Sequence, residues 1–568
     1  MYIATVPNRG SSPAILLREG YREHGKVKNR TLANLSHWPP EKVDLLRRVL
    51  RDERLAPVDQ LFEVVTSSHH GQVQAVRTAM QRLDFERLIA SRPSRERSLV
   101  TAMVAARILQ PHSKLATTRW WHITTLPEIL GVSDATEDDL YEAMDWLLAR
   151  QERIEKKLAA RHLRENGLVL YDLTSSYFEG TTCPLAALGH PRDGIKGKLQ
   201  VNYGLLAAPG GCPVSVSVYE GNTGDPTTLL EQVTKVRDAF GIKNLVLVGD
   251  RGMITQKQID RLKDIQGVDW ISALKTGGIR ELLRSGALQM GLFDERNLFE
   301  MTHPDFPGER LIACRNPELA RMRVAKRQDL LLATTQELDK VKRMVEKGRI
   351  TGRDKIGVRV GRVINKYKMA KHLALVIDDE RFDYDIRQDQ VAAEAALDGI
   401  YVIRTSLPKE RISAEDAVRS DKSLSDVERA FRCLKSIDLL VRPIRHRLED
   451  RVRAHIFLCM LSYYVEWHML EAWRALLFAD EDQKAKKERD PVAPAKRSEA
   501  ALGKAATKRI NDDTGAHSFR TLLTELAGIV RNTCRRPGAE PSEPTFRITT
   551  TPNPKQARAL ALLDTIRV

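Results

Sequence analysis

Two aspartates close short apolar runs, Asp172 in GLVLYDLTSSYF and Asp250 in KNLVLVGDRGMIT, and a glutamate stands far downstream, Glu428 in SDVERAFRCLKS. Carboxylates are the ligands magnesium prefers, usually one or two per ion with water completing the shell. Two such ions about 3.5–4 Å apart activate the attacking oxygen and stabilise the leaving one in phosphodiester chemistry. Three acids therefore suffice for two Mg²⁺ ions, with Mn²⁺ as a substitute, once nucleic-acid phosphate completes the shells. Around Glu428 the spacing adds detail. Arg432 lies four residues on and Lys435 seven, which places all three on one face of a helix, with Val427, Phe431 and Leu434 on the opposing apolar stripe. Lys435 is then expected about 10 Å from Glu428 along the axis, within reach of neighbouring phosphates. The plainer reading of the same spacing is an amphipathic helix with a surface ion pair.

The segments that must position these acids read as follows. GLVLYDLTSSYF, KLQVNYGLLAA and PVSVSVYEG form a three-stranded meander, with PGG turning between the last two. A helix at TTLLEQVTKVRDAF, the strand NLVLVGD, a helix at TQKQIDRLKDI and the strand DWISAL come next. Three strands followed by β-α-β units is a ribonuclease H-like order, in which the first and fourth strands are neighbours. Asp172 and Asp250 would then stand side by side although 78 residues separate them. Other acids compete. Asp193 and Asp225 sit in turn-like settings where Asp bonds its own backbone or caps a helix, and capping is the reading taken for Asp225. Glu179 follows the first strand but is not favoured as a ligand.

The expected fold class is α/β: a ribonuclease H-like catalytic core interrupted by a basic, mainly-β insertion, with a helical N-terminal domain. Residues 1–60 read as a cap of short strands and a helix, and 61–164 as a helical domain. The core occupies 165–274 and 398–479, the latter with the Glu428 helix and a long apolar helix. The insertion spans 275–397, a flexible linker 480–512 and a C-terminal region 513–568. Within KLATTRWWH, Arg119, Trp120 and Trp121 either meet DNA or fill a core, and the core is favoured. From Arg321 to Lys371 there are sixteen Lys or Arg against five Asp or Glu. In GRDKIGVRVGRVINKYKMAK basic residues alternate with Val, Ile and Gly, which predicts a strand pair with one apolar and one cationic, phosphate-contacting face.

Composition narrows the partners. The 568 residues carry a formal charge of +16 with abundant acids as well, so the surface is basic and suits a polyanion, nucleic acid first. The longest apolar stretch, around IFLCMLSYYV, is too short to span a bilayer, and no membrane partner is expected. MYIATVPNRGSSPAILL lacks the pattern of a signal peptide, so cytoplasmic residence near the nucleoid is expected. Six scattered cysteines form no CxxC pair, which argues against a zinc ribbon or a disulfide framework. GxxxxGK[ST] and HExxH are both missing from the sequence, so neither an ATP motor nor a zincin is expected.

The stretches YDLTSSYFEG, GLLAAPGGCPVSVSVYEGNTGDPTTL, LVGDRGMIT, DGIYVIRT and VERAFRCLKSIDLLVRPIRHRLEDRVRAHIFLCML carry a family resemblance. In that order they resemble a bacterial insertion-sequence transposase of the DDE type, in the IS4 superfamily and most like its IS1634 group. The resemblance implies that Asp172, Asp250 and Glu428 are the catalytic, metal-binding triad. The chain departs from the superfamily signature in having Asp421 and Leu424 where a Tyr and an Arg precede the glutamate. The implied function is metal-dependent cleavage and strand transfer at the terminal inverted repeats of the element. Lys435, Arg432, Arg442 and Arg445 would contact DNA. Double-stranded DNA, as element ends and target, is the expected partner, and joining two ends requires at least a homodimer. Two alternatives stay open: a domesticated, non-catalytic DNA-binding derivative, and a ribonuclease H-like nuclease without strand transfer.

Overall fold

The computed structural model describes residues 1–53, 61–293 and 297–568. They divide into two units. The smaller comprises Met1–Ser67 with Arg531–Thr550, so segments from both ends of the chain share one fold. Strands Tyr2–Val6, Ala14–Glu23 and Lys26–Asn34 make one antiparallel sheet there, and Glu63–His69, Val530–Arg535 and Phe546–Thr549 make a second.

The larger unit, Ser68–Val530 with Thr551–Val568, is built on an eight-stranded sheet. Its strands are β1 (Gly167–Tyr177), β2 (Gln200–Ala207), β3 (Pro213–Glu220), β4 (Leu245–Val248), β5 (Val268–Ala273), β6 (Leu298–Met301), β7 (Arg310–Arg315) and β8 (Ile400–Thr405). They lie in the order β6-β7-β8-β5-β4-β1-β2-β3. β1, β2 and β3 pair antiparallel, whereas β4 runs parallel to both β1 and β5. β4 reads LVLV and is buried along its whole length, as a central strand covered on both faces should be. The first and fourth strands are therefore neighbours, as their order in the sequence implied.

The principal helices of this unit, in chain order, are α1 (Gln151–His162), α2 (Pro317–Glu346), α3 (Arg353–Tyr367), α4 (Ala414–Lys422), α5 (Leu424–Arg432) and α6 (Glu449–Ala472). α6 is buried almost all round because helices Arg95–Leu109 and Glu137–Leu148 pack on it together with β3. The helices between residues 71 and 162 thus share one hydrophobic core with the sheet, and Trp121 is fully buried in it. Among the described residues no helix is long and apolar enough to cross a membrane.

Expectations for residues 275–397 and 480–512 are corrected. β6 and β7 extend the large sheet beyond β8, so that part of the presumed insertion belongs to the sheet. The remainder is mainly helical rather than mainly β: α2 and α3 pack with the hairpin Leu373–Ile377/Phe382–Ile386 around Leu338, Val341, Ile356, Val360 and Phe382. The supposed strand pair is α3. Ile356, Val360, Val363, Ile364 and Tyr367 recur at three- and four-residue steps and face that core, while Val358, the residue that made the run look alternating, is 58% exposed. Residues 480–512 are also more ordered than their composition suggested. Helices Gln483–Glu488 and Glu499–Thr507 form, Val492 is buried, and its carbonyl accepts a hydrogen bond from Asn316 Nδ2 at 3.2 Å. Lys504 is buried too, donating to the Leu477 carbonyl at 3.4 Å. Hydrogen bonds, rather than large apolar side chains, tie this polar stretch down.

Candidate active site

The β1–β4 ladder pairs Leu170 with Val248, and two further residues on each strand reach Asp172 and Asp250. Asp172 is partly buried and its Oδ1 accepts the Leu173 N–H at 2.8 Å. Asp250 lies just past the end of β4, exposed, with Oδ1 accepting from Gly252 N at 3.0 Å and Met253 N at 2.7 Å. α5 packs on β1 through a face that buries Val427, Ala430 and Phe431, the Phe431 ring standing edge-on to Tyr203 of β2 at 6.0 Å. The opposite face of α5 carries Glu428, whose side chain is 65% exposed and whose nearest cation is Arg432 at 4.0 Å. The charges of Asp250 and Glu428 both reach Asp172. Burial is the main cause that pushes the Asp172 carboxyl up to about 7; the Leu173 N–H and Arg192 oppose it, while the charges of Asp250 and Glu428 add to it.

Two further residues stand at this place and were missed as site residues in the sequence. Arg192, in the loop after β1, donates its backbone N–H to Ser175 Oγ at 2.9 Å and its guanidinium to Asp225. Burial lowers its pKa, and the negative charges of Asp172 and Asp250 oppose that shift. Asp225 is not the helix cap it resembled: the cap position is Gly224, and Asp225 is the first helical residue and pairs with Arg192. Asp421 of α4 is the second. Burial pushes its carboxyl up to about 6, Lys422 opposes, and Asp250 adds to the shift. The only sequence signal for Asp421 was its departure from the superfamily signature; for Arg192 it was a charged PRDG loop between two strands.

Residues 192–465 match the family model described as transposase DDE domain, and residues 3–57 match the model of the IS1634 family transposase N-terminal domain. The chain belongs to the DDE transposases of the IS1634 group. Asp250 and Glu428 of the transposase fall inside the DDE match, and Asp172 lies just before it. No match to the transposase was found among curated proteins. The cryo-EM structure of a piggyBac transposase synaptic complex with hairpin DNA aligns over 74% of the transposase chain and 76% of its own, at 8% identity and a TM-score of 0.32. That likeness is too remote to support an argument.

Of the four cations expected to face DNA, the transposase turns two outward and two inward. Arg432 is exposed, as is Arg445, which pairs with Glu179 at 3.1 Å. Lys435 is only 8% exposed and lies among Arg442, Asp193, Arg192 and Asp172. Burial, with Arg442, pushes its ammonium down to about 8. Arg442 is itself largely covered and approaches Asp193 at 3.5 Å. The expectation that Lys435 shares the open face of Glu428 is therefore corrected. Residues Cys433–Ile437 form a π-helical turn, which winds more residues per turn than the α-helix and rotates position 435 off that face.

Proposed function

We propose that this transposase cleaves DNA strands at the terminal inverted repeats of its own insertion sequence and uses the freed 3′-hydroxyl to attack target DNA, on a ribonuclease H-like core. The observation that carries this reading is the convergence of Asp172, Asp250 and Glu428, from three separated parts of the chain, to where the charges of Asp250 and Glu428 both act on Asp172. The residues fit two Mg²⁺ ions, or Mn²⁺ in their place: every donor is a carboxylate oxygen, and the Asp172 carboxyl, raised mainly by burial, is raised further by the charges of Asp250 and Glu428. When bound, such ions activate the attacking oxygen and neutralise charge on the leaving one.

The chain's own residues do the positioning. Asp172 and Asp250 are held by a backbone ladder, and Glu428 arrives on the open face of α5. Arg192, tethered by Asp225, supplies a cation beside the aspartates where a phosphate has to sit. Arg432 and Arg445 offer exposed charge nearby. On α3, Lys355, Arg359, Arg362 and Lys366 are all exposed and recur at four-, three- and four-residue steps, a helical stripe suited to sequence-independent phosphate contact. Double-stranded DNA would be engaged both as element end and as target, with a homodimer bringing two ends together.

The test incubates labelled end DNA and target plasmid with Mg²⁺ or Mn²⁺ and compares the native protein with Asp172→Ala, Asp250→Ala and Glu428→Ala. Cleavage and joining by the native protein only, with end binding kept by all four, is the expected result. Near-native cleavage by any one variant that still binds normally would remove that residue from the triad. Cutting without joining would point to a nuclease, and binding without cutting to a domesticated derivative.

A further inference from the structure

Away from the carboxylates, three elements of the larger unit meet at a cluster of softer ligands. His162 ends α1, Cys212 lies in the turn between β2 and β3, and His468 lies on α6. One donor atom from each is within 4.8 Å of the other two. Cys212 is 2% exposed and His468 7%, and His468 Nε2 is sealed from solvent without a hydrogen-bond partner. Buried polar atoms are seldom left so. The rings are held from the side: His162 Nε2 lies 3.1 Å from Tyr464 Oη, and Tyr464 and Trp467 stand edge-on to His468 at 4.9 and 4.8 Å. A hydrogen bond at the second ring nitrogen orients a metal-binding histidine, a part that Tyr464 Oη can play for His162.

We propose that His162, Cys212 and His468 form a zinc-binding site. Two imidazole nitrogens and one sulfur suit zinc, which takes them in tetrahedral geometry with a water able to fill the fourth place. Bonds of about 2.0–2.3 Å bring tetrahedral ligands to roughly 3.5 Å from one another, within easy side-chain adjustment of the present spacing. The Cys212 thiol releases its proton to solvent as the zinc–sulfur bond forms, and each histidine binds through a neutral nitrogen lone pair; no electrons are transferred. The chemistry is the opposite of the all-oxygen triad, so each site selects its own ion. A second buried cluster, Cys433, Asp438 and Glu466, differs in already holding a cation, since Arg520 Nε pairs with Asp438 at 3.4 Å.

The site fastens the tip of the β2–β3 hairpin, and that tip supports the Glu428 helix. Trp467 Nε1 donates to the Gly210 carbonyl at 3.1 Å. Gly211 has φ +84°, and a Cβ there would stand 3.0 Å from Asp426, two residues before Glu428. Zinc would thus lock α6, α1 and the hairpin into the buttress on which α5 rests.

The experiment uses the full chain, stripped with a chelator and reconstituted with Co²⁺ or Zn²⁺, in the native protein and in an Asp172→Ala/Asp250→Ala/Glu428→Ala background. We expect about one equivalent of tightly held zinc in both. With cobalt, both should show tetrahedral visible bands and a thiolate-to-metal charge-transfer band. Cys212→Ala should lose the charge-transfer band and His468→Gln the tight binding, with circular dichroism reporting whether each variant is folded. Because the native and triad-free proteins are read directly, the proposal does not depend on those variants folding. It is overturned if neither protein retains stoichiometric zinc, if the cobalt spectrum lacks the thiolate band, or if folded Cys212→Ala keeps it. Loss of zinc only in the triad-free background would assign the metal to the carboxylates and overturn it equally.

Discussion

Asp172 and Asp250 are placed by a backbone ladder, whereas Glu428 is placed by packing. β1, which carries Asp172, and β4, which ends two residues before Asp250, pair up to Leu170 and Val248, so the separation of the acids is set largely by hydrogen bonds that do not depend on side-chain identity. Glu428 sits on an open helix face, and the packing of the same helix, through Val427, Ala430 and Phe431 and against the hairpin tip at Asp426, decides where it points. The aspartate half is thus rigid by construction, and the glutamate half is as rigid as its packing.

The strongest way to break this comparison is at the acids themselves. Asp172→Ala or Asp250→Ala should lower strand cleavage about a thousandfold, the scale of losing several kcal/mol of transition-state stabilisation, with end binding retained; single-turnover cleavage of labelled ends measures it. Next comes the packing. Phe431 is 5% exposed, and Phe431→Ala should cost about 3–5 kcal/mol in denaturant unfolding. If Glu428 depends on packing, that variant should also cleave poorly under conditions where it stays folded, while truncation of an exposed residue on the same helix, such as Arg429→Ala, should not. Equal cleavage by both would show the helix to be placed by something else.

The pH response is a smaller effect. In the protein without metal the Asp172 carboxyl is protonated below about 7. Mg²⁺ must displace that proton there, so its apparent affinity should rise about tenfold per pH unit up to that point and level off above it. Calorimetric titration across that range measures this. Glu428→Gln removes one of the neighbouring negative charges, so the levelling point should move to lower pH; a curve flat with pH would detach Asp172 from the metal. The smallest effect concerns α3. Replacing Lys355, Arg359, Arg362 and Lys366 by Ala should weaken DNA binding uniformly across sequences. Its salt dependence should fall by up to about 0.9 for each phosphate that the variant no longer neutralises, as read from binding isotherms at several salt concentrations.

Legibility followed the same division between backbone and packing. The strand order and the neighbouring of Asp172 and Asp250 could be read because short apolar runs and turn residues are local signals that dictate the ladder. The apolar stripe of Val427, Phe431 and Leu434 was equally plain, and all three are buried. α3 was misread because IGVRVG alternates over six residues while its helical period shows only over the full run from Ile356 to Tyr367. Lys435 was misplaced because ideal α-helical spacing was carried through residues that wind as a π-turn. Arg192 was passed over because its significance lies in contacts with residues from the first strand and from the helix that begins at Asp225.

The sequence by itself determined which acids are present, the strands that carry two of them and the amphipathic helix that carries the third, because period and turn chemistry act within a few residues. Only the tertiary structure decided which charges meet: Arg192 and Asp421 beside the aspartates, Lys435 turned inward, and His162, Cys212 and His468 gathered from three elements. Burial and electrostatic proximity are properties of the packed chain, and no spacing along the sequence encodes them.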